Sequence, residues 1–145
     1  IRVYNIHLAS NWFKNTDYSF IQNPQKEKIK EGIIGITKRM KSSFIKRAEE
    51  VEIIKQHMAD CTYPIIVCGD FNDTPLSYAY NSIKGDLSDA FSISGKGIGD
   101  SFVKIPALRI DYILHDNELK SSNYQKHKQV LSDHYAVSCE IKIGN

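Results

Sequence analysis

No stretch of the chain stays apolar for long enough to cross a bilayer, which excludes a transmembrane helix. Cysteine is scarce: Cys61, Cys68 and Cys139 are odd in number, widely spaced, and without the paired spacing of a metal knuckle. Cys68 and Cys139 fall in strand-like runs and read as small core residues, so the cysteines assign no compartment. An excess of one charge is also lacking, since the net charge of +2 is too small by itself to argue for nucleic acid. Repeats, low-complexity tracts and linkers are absent, and the 145 residues read as a single domain, 1–145. A composition of 41% hydrophobic and 25% charged residues excludes disorder and allows a real core. The chain opens on Ile1-Arg2-Val3-Tyr4 without an initiator Met, a charged leader or a signal-like segment, and is expected to continue a longer polypeptide.

What is present is organised around Pro64-Ile65-Ile66-Val67-Cys68-Gly69-Asp70-Phe71-Asn72-Asp73-Thr74-Pro75. A short β-branched run bounded by Pro and Gly predicts a strand buried on both faces. Polar groups at the carboxyl end of such a strand stand where open α/β sheets place ligands. Asp70 and Asn72, two apart, share a face if the extended geometry continues. Gly-Asp-x-Asn is equally good turn chemistry, and this stretch alone supports both readings.

Arg2 to Leu8 predicts a strand that delivers Asn5 and His7 to its end. Asn11 to Gly35 holds Trp12, Phe13, Tyr18 and Phe20 with no sustained period, which predicts an irregular excursion with about one helical turn. Those aromatics suit a membrane surface, base stacking or ordinary packing. From Lys38 to Ala59, Met40, Phe44, Ala48, Val51, Ile54 and Met58 recur every three or four residues and predict an amphipathic helix. Lys41, Lys46, Arg47, Glu49, Glu50 and Gln56 fall mostly elsewhere on the wheel. Strand, crossover helix and strand make a βαβ pattern. Between Pro24 and Arg47, Lys26, Lys28, Lys30, Lys38, Arg39, Lys41, Lys46 and Arg47 outnumber Glu27 and Glu31. This cluster reads as a solvated helix face, with a positive field beside an anionic substrate or membrane as the alternative.

Leu76 to Ile83 predicts a short helix and Leu87 to Phe91 a short strand or bend. Ser94 to Asp100 is glycine-rich, but no helix follows it directly, so it is not a phosphate cradle. Phe102-Val103, Arg109 to His115, Leu119 to Gln125 and Ala136 to Ile143 are strand candidates. The last alternates Val137, Cys139, Ile141 and Ile143 against Ser138, Glu140 and Lys142, as an antiparallel strand with one wet face does.

Four short sites place acidic, amide or imidazole groups in or at the end of apolar strands: Asn5-Ile6-His7-Leu8, Gly69-Asp70-Phe71-Asn72, Arg109-Ile110-Asp111-Tyr112 and Ser132-Asp133-His134-Tyr135. A carboxylate inside Ile110-Asp111-Tyr112-Ile113-Leu114 demands a partner. His134 suits it, because a carboxylate on one ring nitrogen sets the tautomer and frees the other nitrogen for proton transfer. Singly, each site is also compatible with a surface histidine or a turn.

These four motifs, in this order, resemble the carboxyl-terminal half of the endonuclease/exonuclease/phosphatase superfamily, the fold of deoxyribonucleases, sphingomyelinases and inositol-polyphosphate phosphatases. Ala136 stands where many relatives have proline. The resemblance implies an α/β (α+β) fold, half of a four-layer αββα sandwich: one mixed, mostly antiparallel sheet with a long amphipathic helix on its outer face. It implies metal-dependent hydrolysis of phosphate esters, with magnesium as the usual ion and manganese or calcium as alternatives. By the same resemblance His134 is the general acid/base, oriented by Asp111. Asp70 positions or deprotonates the attacking water, Asn72 holds a phosphoryl oxygen, His7 contacts the phosphate, and Asp133 helps hold the metal. The principal metal glutamate is expected in a first half of the fold that this chain lacks. The expected partners are therefore a phosphate-ester substrate (nucleic acid, phospholipid or inositol phosphate) and whatever covers the inner sheet face, the missing half or a dimer partner. The alternative is a catalytically incomplete fragment, or a module of this fold that binds phosphate or protein.

Overall fold

The computed structural model describes residues 1–11, 13, 15–22 and 29–144, so the readings placed on Trp12, Pro24, Lys26, Glu27 and Lys28 lie outside the described residues. Strand β1 (Arg2–His7) pairs in parallel with β2 (Ile65–Asp70). The antiparallel strand β4 (Asp111–His115) lies on the other side of β2, and the two-residue β3 (Ser88–Asp89) closes the edge. The sheet order is β1-β2-β4-β3. Strands β5 (Lys120–Lys126) and β6 (Val137–Lys142) pair with each other as a separate antiparallel ribbon, and β6 runs beside β4. The single sheet expected from sequence is thus a mixed four-stranded sheet with a ribbon alongside. A register shift between Ser122 and Gln125, where Asn123 takes φ 54°, puts a bulge in that ribbon.

The two faces of the sheet differ sharply. Tyr4 and Ile6 of β1, Ile65 and Val67 of β2, and Tyr112 and Leu114 of β4 point to one side. There they meet Val51, Ile54 and Met58 of helix α2 (Ile29–Ala59) and Ala79, Tyr80 and Ile83 of helix α3 (Tyr78–Lys84). Val51, Val67 and Leu114 are completely buried, and each such side chain contributes roughly 1.5–3 kcal/mol relative to exposure. On the other side Ile66, Cys68 and Ile113 are only half-buried and Val3 is 58% exposed. The three cysteines are free thiols. Ser77 caps α3, accepting the Tyr80 N–H at 3.1 Å. Among the described residues no helix is long and apolar enough to cross a membrane.

Three expectations need correction. The Asn11–Gly35 stretch is more helical than its sequence suggests: helix α1 occupies Asn15–Gln22, and α2 begins at Ile29 rather than near Lys38. Gly32, Gly35 and the Ile33-Ile34 pair obscure the helical period there. Tertiary contacts supply what propensity lacks, among them the ion pair between Arg39 of α2 and the buried Asp17 of α1. Second, Arg47 belongs to the buried face of α2, at 1% exposure, while Phe44 is 43% exposed. Third, Leu87 to Phe91 passes from β3 directly into a helical turn, α4 (Ala90–Ser94), capped by Asp89, whose side chain accepts the Phe91 N–H.

Candidate active site

Ladder pairing places three of the candidate residues on one line across the sheet. His7 is registered against Asp70, and Asp70 against Asp111. Because β1 and β2 are parallel, His7 and Asp70 lie at their carboxyl ends, while antiparallel β4 brings Asp111 in at its amino end. Alternation along each strand turns these side chains away from α2, toward the open face. His7 Nε2 is 3.5 Å from Asp70 Oδ2.

Close approach of β1 and β2 just before this line depends on Gly69. Its φ is +137°, and a Cβ there would stand 1.9 Å from the carbonyl oxygen of Ile6. Only glycine fits such a position. Beyond Asp70 the strand ends: Phe71 enters the core, and Asn72 adopts the left-handed conformation, φ 51°. The expected sharing of a side by Asp70 and Asn72 therefore comes from a turn and not from continued extension. Asn72 donates its backbone N–H to Asp70 Oδ1 at 2.7 Å. Its amide nitrogen donates to Leu8 O at 2.9 Å and Asp70 Oδ2 at 3.1 Å. The asparagine clamps the carboxylate and ties it to the end of β1.

His134 arrives from the loop between β5 and β6. Its imidazole donates from Nδ1 to Asp111 Oδ2 at 2.8 Å, the pairing that a carboxylate inside an apolar strand requires. The other ring nitrogen, Nε2, is 3.8 Å from Asp70 Oδ2. The loop is held by antiparallel bridging of His134 to Phe102, with the Val103 N–H on Asp133 O at 2.9 Å and the Tyr135 N–H on Ser101 O at 2.7 Å. The Phe102 ring meets the imidazole edge-on, centroids 5.1 Å apart. Phe102-Val103 is thus a positioning bridge for the histidine.

Two positioning residues gave no signal in the sequence. Ser101 is fully buried, and its Oγ accepts the N–H groups of both Ile110 and Asp111 at 3.1 Å. One residue thereby locates Asp111 and, through its carbonyl, the His134 loop. Arg47 donates from Nη1 to Ala9 O at 2.7 Å and from Nε to Asp73 Oδ2 at 3.0 Å, joining the loops that follow β1 and β2. Arg109, from the third motif, lies behind the site, buried against Asp89 at 2.8 Å and stacked over the rings of Phe91 and Tyr112. Arg39 and Arg47 both serve internal ion pairs, so neither contributes to a basic face.

Burial holds the Asp70 carboxyl above its ordinary range, helped by the neighbouring Asp111 carboxylate and opposed by the Asn72 N–H and both imidazoles. Asp70, Asp111 and His134 each offer one ligand atom within 4.8 Å of the others, the one group of this kind among the described residues. Two carboxylates with an imidazole suit a divalent cation that prefers oxygen. Asp133 lies outside this group. Burial would raise its carboxyl, but the hydrogen bond and charge of Lys104, at 3.3 Å, bring it below the ordinary range.

Comparison with known proteins points one way. The family described as Endonuclease/Exonuclease/phosphatase family matches residues 41–134, more than half of the chain. Among solved structures, a mannosyl-6-phosphatase of Bacteroides thetaiotaomicron is similar at TM-score 0.54 and 20% identity, over 68% of this chain and 46% of its own. A functionally unknown conserved protein of Enterococcus faecalis aligns at TM-score 0.57 and 17% identity, over 69% of this chain and 45% of its own. The catalytic domain of human Nocturnin with bound sulfate aligns at 0.53 and 20%, over 72% and 41%. The chain therefore spans less than half the length of these structures, and at such identities they show a shared fold. No curated protein matches the sequence.

Proposed function

Since the chain belongs to the endonuclease/exonuclease/phosphatase family, we propose that it carries the proton-transfer side of a metal-assisted phosphate-ester hydrolase. The observation that carries this reading is the line His7, Asp70, Asp111 across one sheet, with His134 clamped above it by Asp111. A mannosyl-6-phosphatase among the structurally similar proteins supports phosphate-ester chemistry.

Each side chain has a part to play. Asp111 holds the His134 imidazole in one tautomer and would stabilise the imidazolium, leaving Nε2 to exchange a proton with substrate or water. Asp70, beside the imidazoles of His7 and His134, would position the attacking water and take its proton. Asn72 is proposed to act mainly through Asp70, since its amide nitrogen already donates to Leu8 and Asp70. The exposed His7 imidazole would donate to a phosphoryl oxygen. Asp70 and Asp111 would hold a divalent cation, magnesium in the first instance, whose chemistry when bound is neutralisation of charge on the phosphoryl oxygens. Asp133, held by Lys104, is proposed as a peripheral residue and not a direct ligand.

The open sheet face of Val3, Ile66, Cys68 and Ile113 is proposed to be covered by a further sheet-bearing segment. The share of the similar structures spanned here, 41–46%, supports it. Such a segment would also bring further metal ligands.

The test is hydrolysis of p-nitrophenyl phosphate and bis(p-nitrophenyl) phosphate by the full-length natural protein, with magnesium and with EDTA. Asp70→Asn and His134→Ala are run beside it. Turnover that needs the metal and is lost in both variants is the expected result. Full activity in both variants would sink the assignment. Phosphate binding by the 145-residue chain without turnover, beside an inactive full-length protein, would favour a phosphate-binding module.

A further inference from the structure

The proposed site is half open to solvent, with the His7 imidazole exposed. It forms the floor of a cleft of about 680 Å³ that runs outward between the helices and the segment around Ile105. This volume is in the range of cavities that enclose a whole small molecule. Two properties of its wall are unusual for a protein that handles phosphate.

The first is its apolarity. Tyr18 and Ile21 come from α1, Ile36 and Met40 from α2, and Ile105 and Leu108 from the loop before β4. Aromatic rings form a continuous path from the site: Phe102 touches His134 at 5.1 Å between centroids, Tyr18 lies 6.0 Å from Phe102, and Phe13 lies 5.8 Å from Tyr18. The second is charge. The described lining residues include Asp70, Asp73, Asp111 and Asp133 but no lysine or arginine. A strand of nucleic acid or an inositol polyphosphate needs several cationic contacts to offset its charge, and of the described cations beside this wall Arg47 is engaged by Asp73 and Lys104 by Asp133.

We propose that the cleft receives the alcohol portion of the ester and that this portion is large and apolar. The substrate class is then a singly phosphorylated compound with an aliphatic or aromatic body, and not a polyanion. This rests on the phosphate-ester reading of the site. It assigns the helical stretch before Lys38 the task of substrate selection. Such an ester could be a soluble compound or a membrane phospholipid, which share the same chemistry.

The test is a chain-length series. Binding of methyl, butyl and octyl phosphate to the full-length protein is measured by titration calorimetry, below the micelle concentration and in EDTA, so that the esters are not turned over. A fully enclosed methylene contributes about fourfold, so even partial enclosure predicts at least ~10-fold tighter binding of octyl than of butyl phosphate. Met40→Asp should flatten the series. Ile21→Asp, at a more exposed position, serves if Met40→Asp fails to fold. Inositol hexakisphosphate and a short oligonucleotide should bind more weakly than octyl phosphate. A flat series, or tighter binding of either polyanion, overturns the inference. Co-sedimentation with phosphatidic-acid vesicles beside binding of the free ester points to a membrane source, and binding of the free ester alone to a soluble one. A flat series with intact turnover of p-nitrophenyl phosphate removes this inference and leaves the phosphoesterase reading standing. A steep series without turnover of any ester does the reverse.

Discussion

Gly69 and the carbonyl of Ile6 are in such close apposition that a Cβ on the glycine would stand 1.9 Å from the oxygen. This contact sits one residue before the registered pair of His7 and Asp70. It makes the glycine a condition of the site's geometry and not only of the turn that follows.

Gly69→Ala is expected to cost more than about 2 kcal/mol, because strain at positive φ and the clash with backbone add. Gly85 provides the comparison. Its φ is +43°, yet a Cβ there meets nothing within 4 Å, so Gly85→Ala should carry backbone strain alone and cost less than Gly69→Ala. Urea denaturation of the two variants checks this, and equal losses would show that the Ile6 contact is unimportant.

Asp70→Asn should remove activity and make the metal-free protein gain on wild type, in relative terms, as pH rises from acid to neutral, although it gives up the Asn72 donor on Oδ2. The folded-state pKa of Asp70 is raised, chiefly by burial. The folded protein therefore binds the proton more tightly than the unfolded chain does. The carboxyl's contribution is most favourable below its unfolded pKa and is lost as pH rises through the higher folded value. The amide carries no charge to desolvate, so the gain over wild type should appear on going from acid to neutral pH. Thermal melts in EDTA from pH 3 to pH 7 (about the range spanned by ordinary and raised carboxyls) read this directly. A gain that is independent of pH would remove burial of the charge as its cause.

Asp111→Asn should lower kcat at saturating metal by roughly 10²–10⁴-fold, since it removes the group that orients His134. His134→Ala should fall in the same range, and the double variant should lose little more than either alone. Multiplying losses in the double variant would show that the two residues act separately.

Arg47→Met should destabilise by about 1–3 kcal/mol, because it leaves the half-buried Asp73 carboxylate and the Ala9 carbonyl without the guanidinium. Adding Asp73→Asn should recover part of that loss in a denaturant cycle. If Arg47→Met melts like wild type, the guanidinium is not what holds the two loops together.

Much of the fold is legible in the sequence for a simple reason. Ile65 to Cys68, Val51 to Met58 and Val137 to Ile141 carry their periods in their own side chains, so strand, helix and ribbon can be read locally. Helix α2 before Lys38 is not legible, because glycines and adjacent isoleucines hide its period and its support comes from α1. Nor is Arg47, whose charge suggests solvent until the carbonyl of Ala9 and the carboxylate of Asp73 are seen to receive it.

The site divides in the same way. The residue types of Asn5-Ile6-His7-Leu8, Gly69-Asp70-Phe71-Asn72, Arg109-Ile110-Asp111-Tyr112 and Ser132-Asp133-His134-Tyr135 already gather acid/base side chains at strand ends, their resemblance to the family implies phosphate-ester chemistry, and the demand of a strand-borne carboxylate for a partner already points to His134. Only the tertiary structure decides that His7, Asp70 and Asp111 stand on one line, that Ser101 positions Asp111 and the histidine loop together, and that Asn72 is turned inward as a clamp. It alone shows the apolar cleft above them. Strand register and the meeting of distant loops depend on hydrogen bonds and packing between segments far apart in the chain, and no local pattern of residues encodes these.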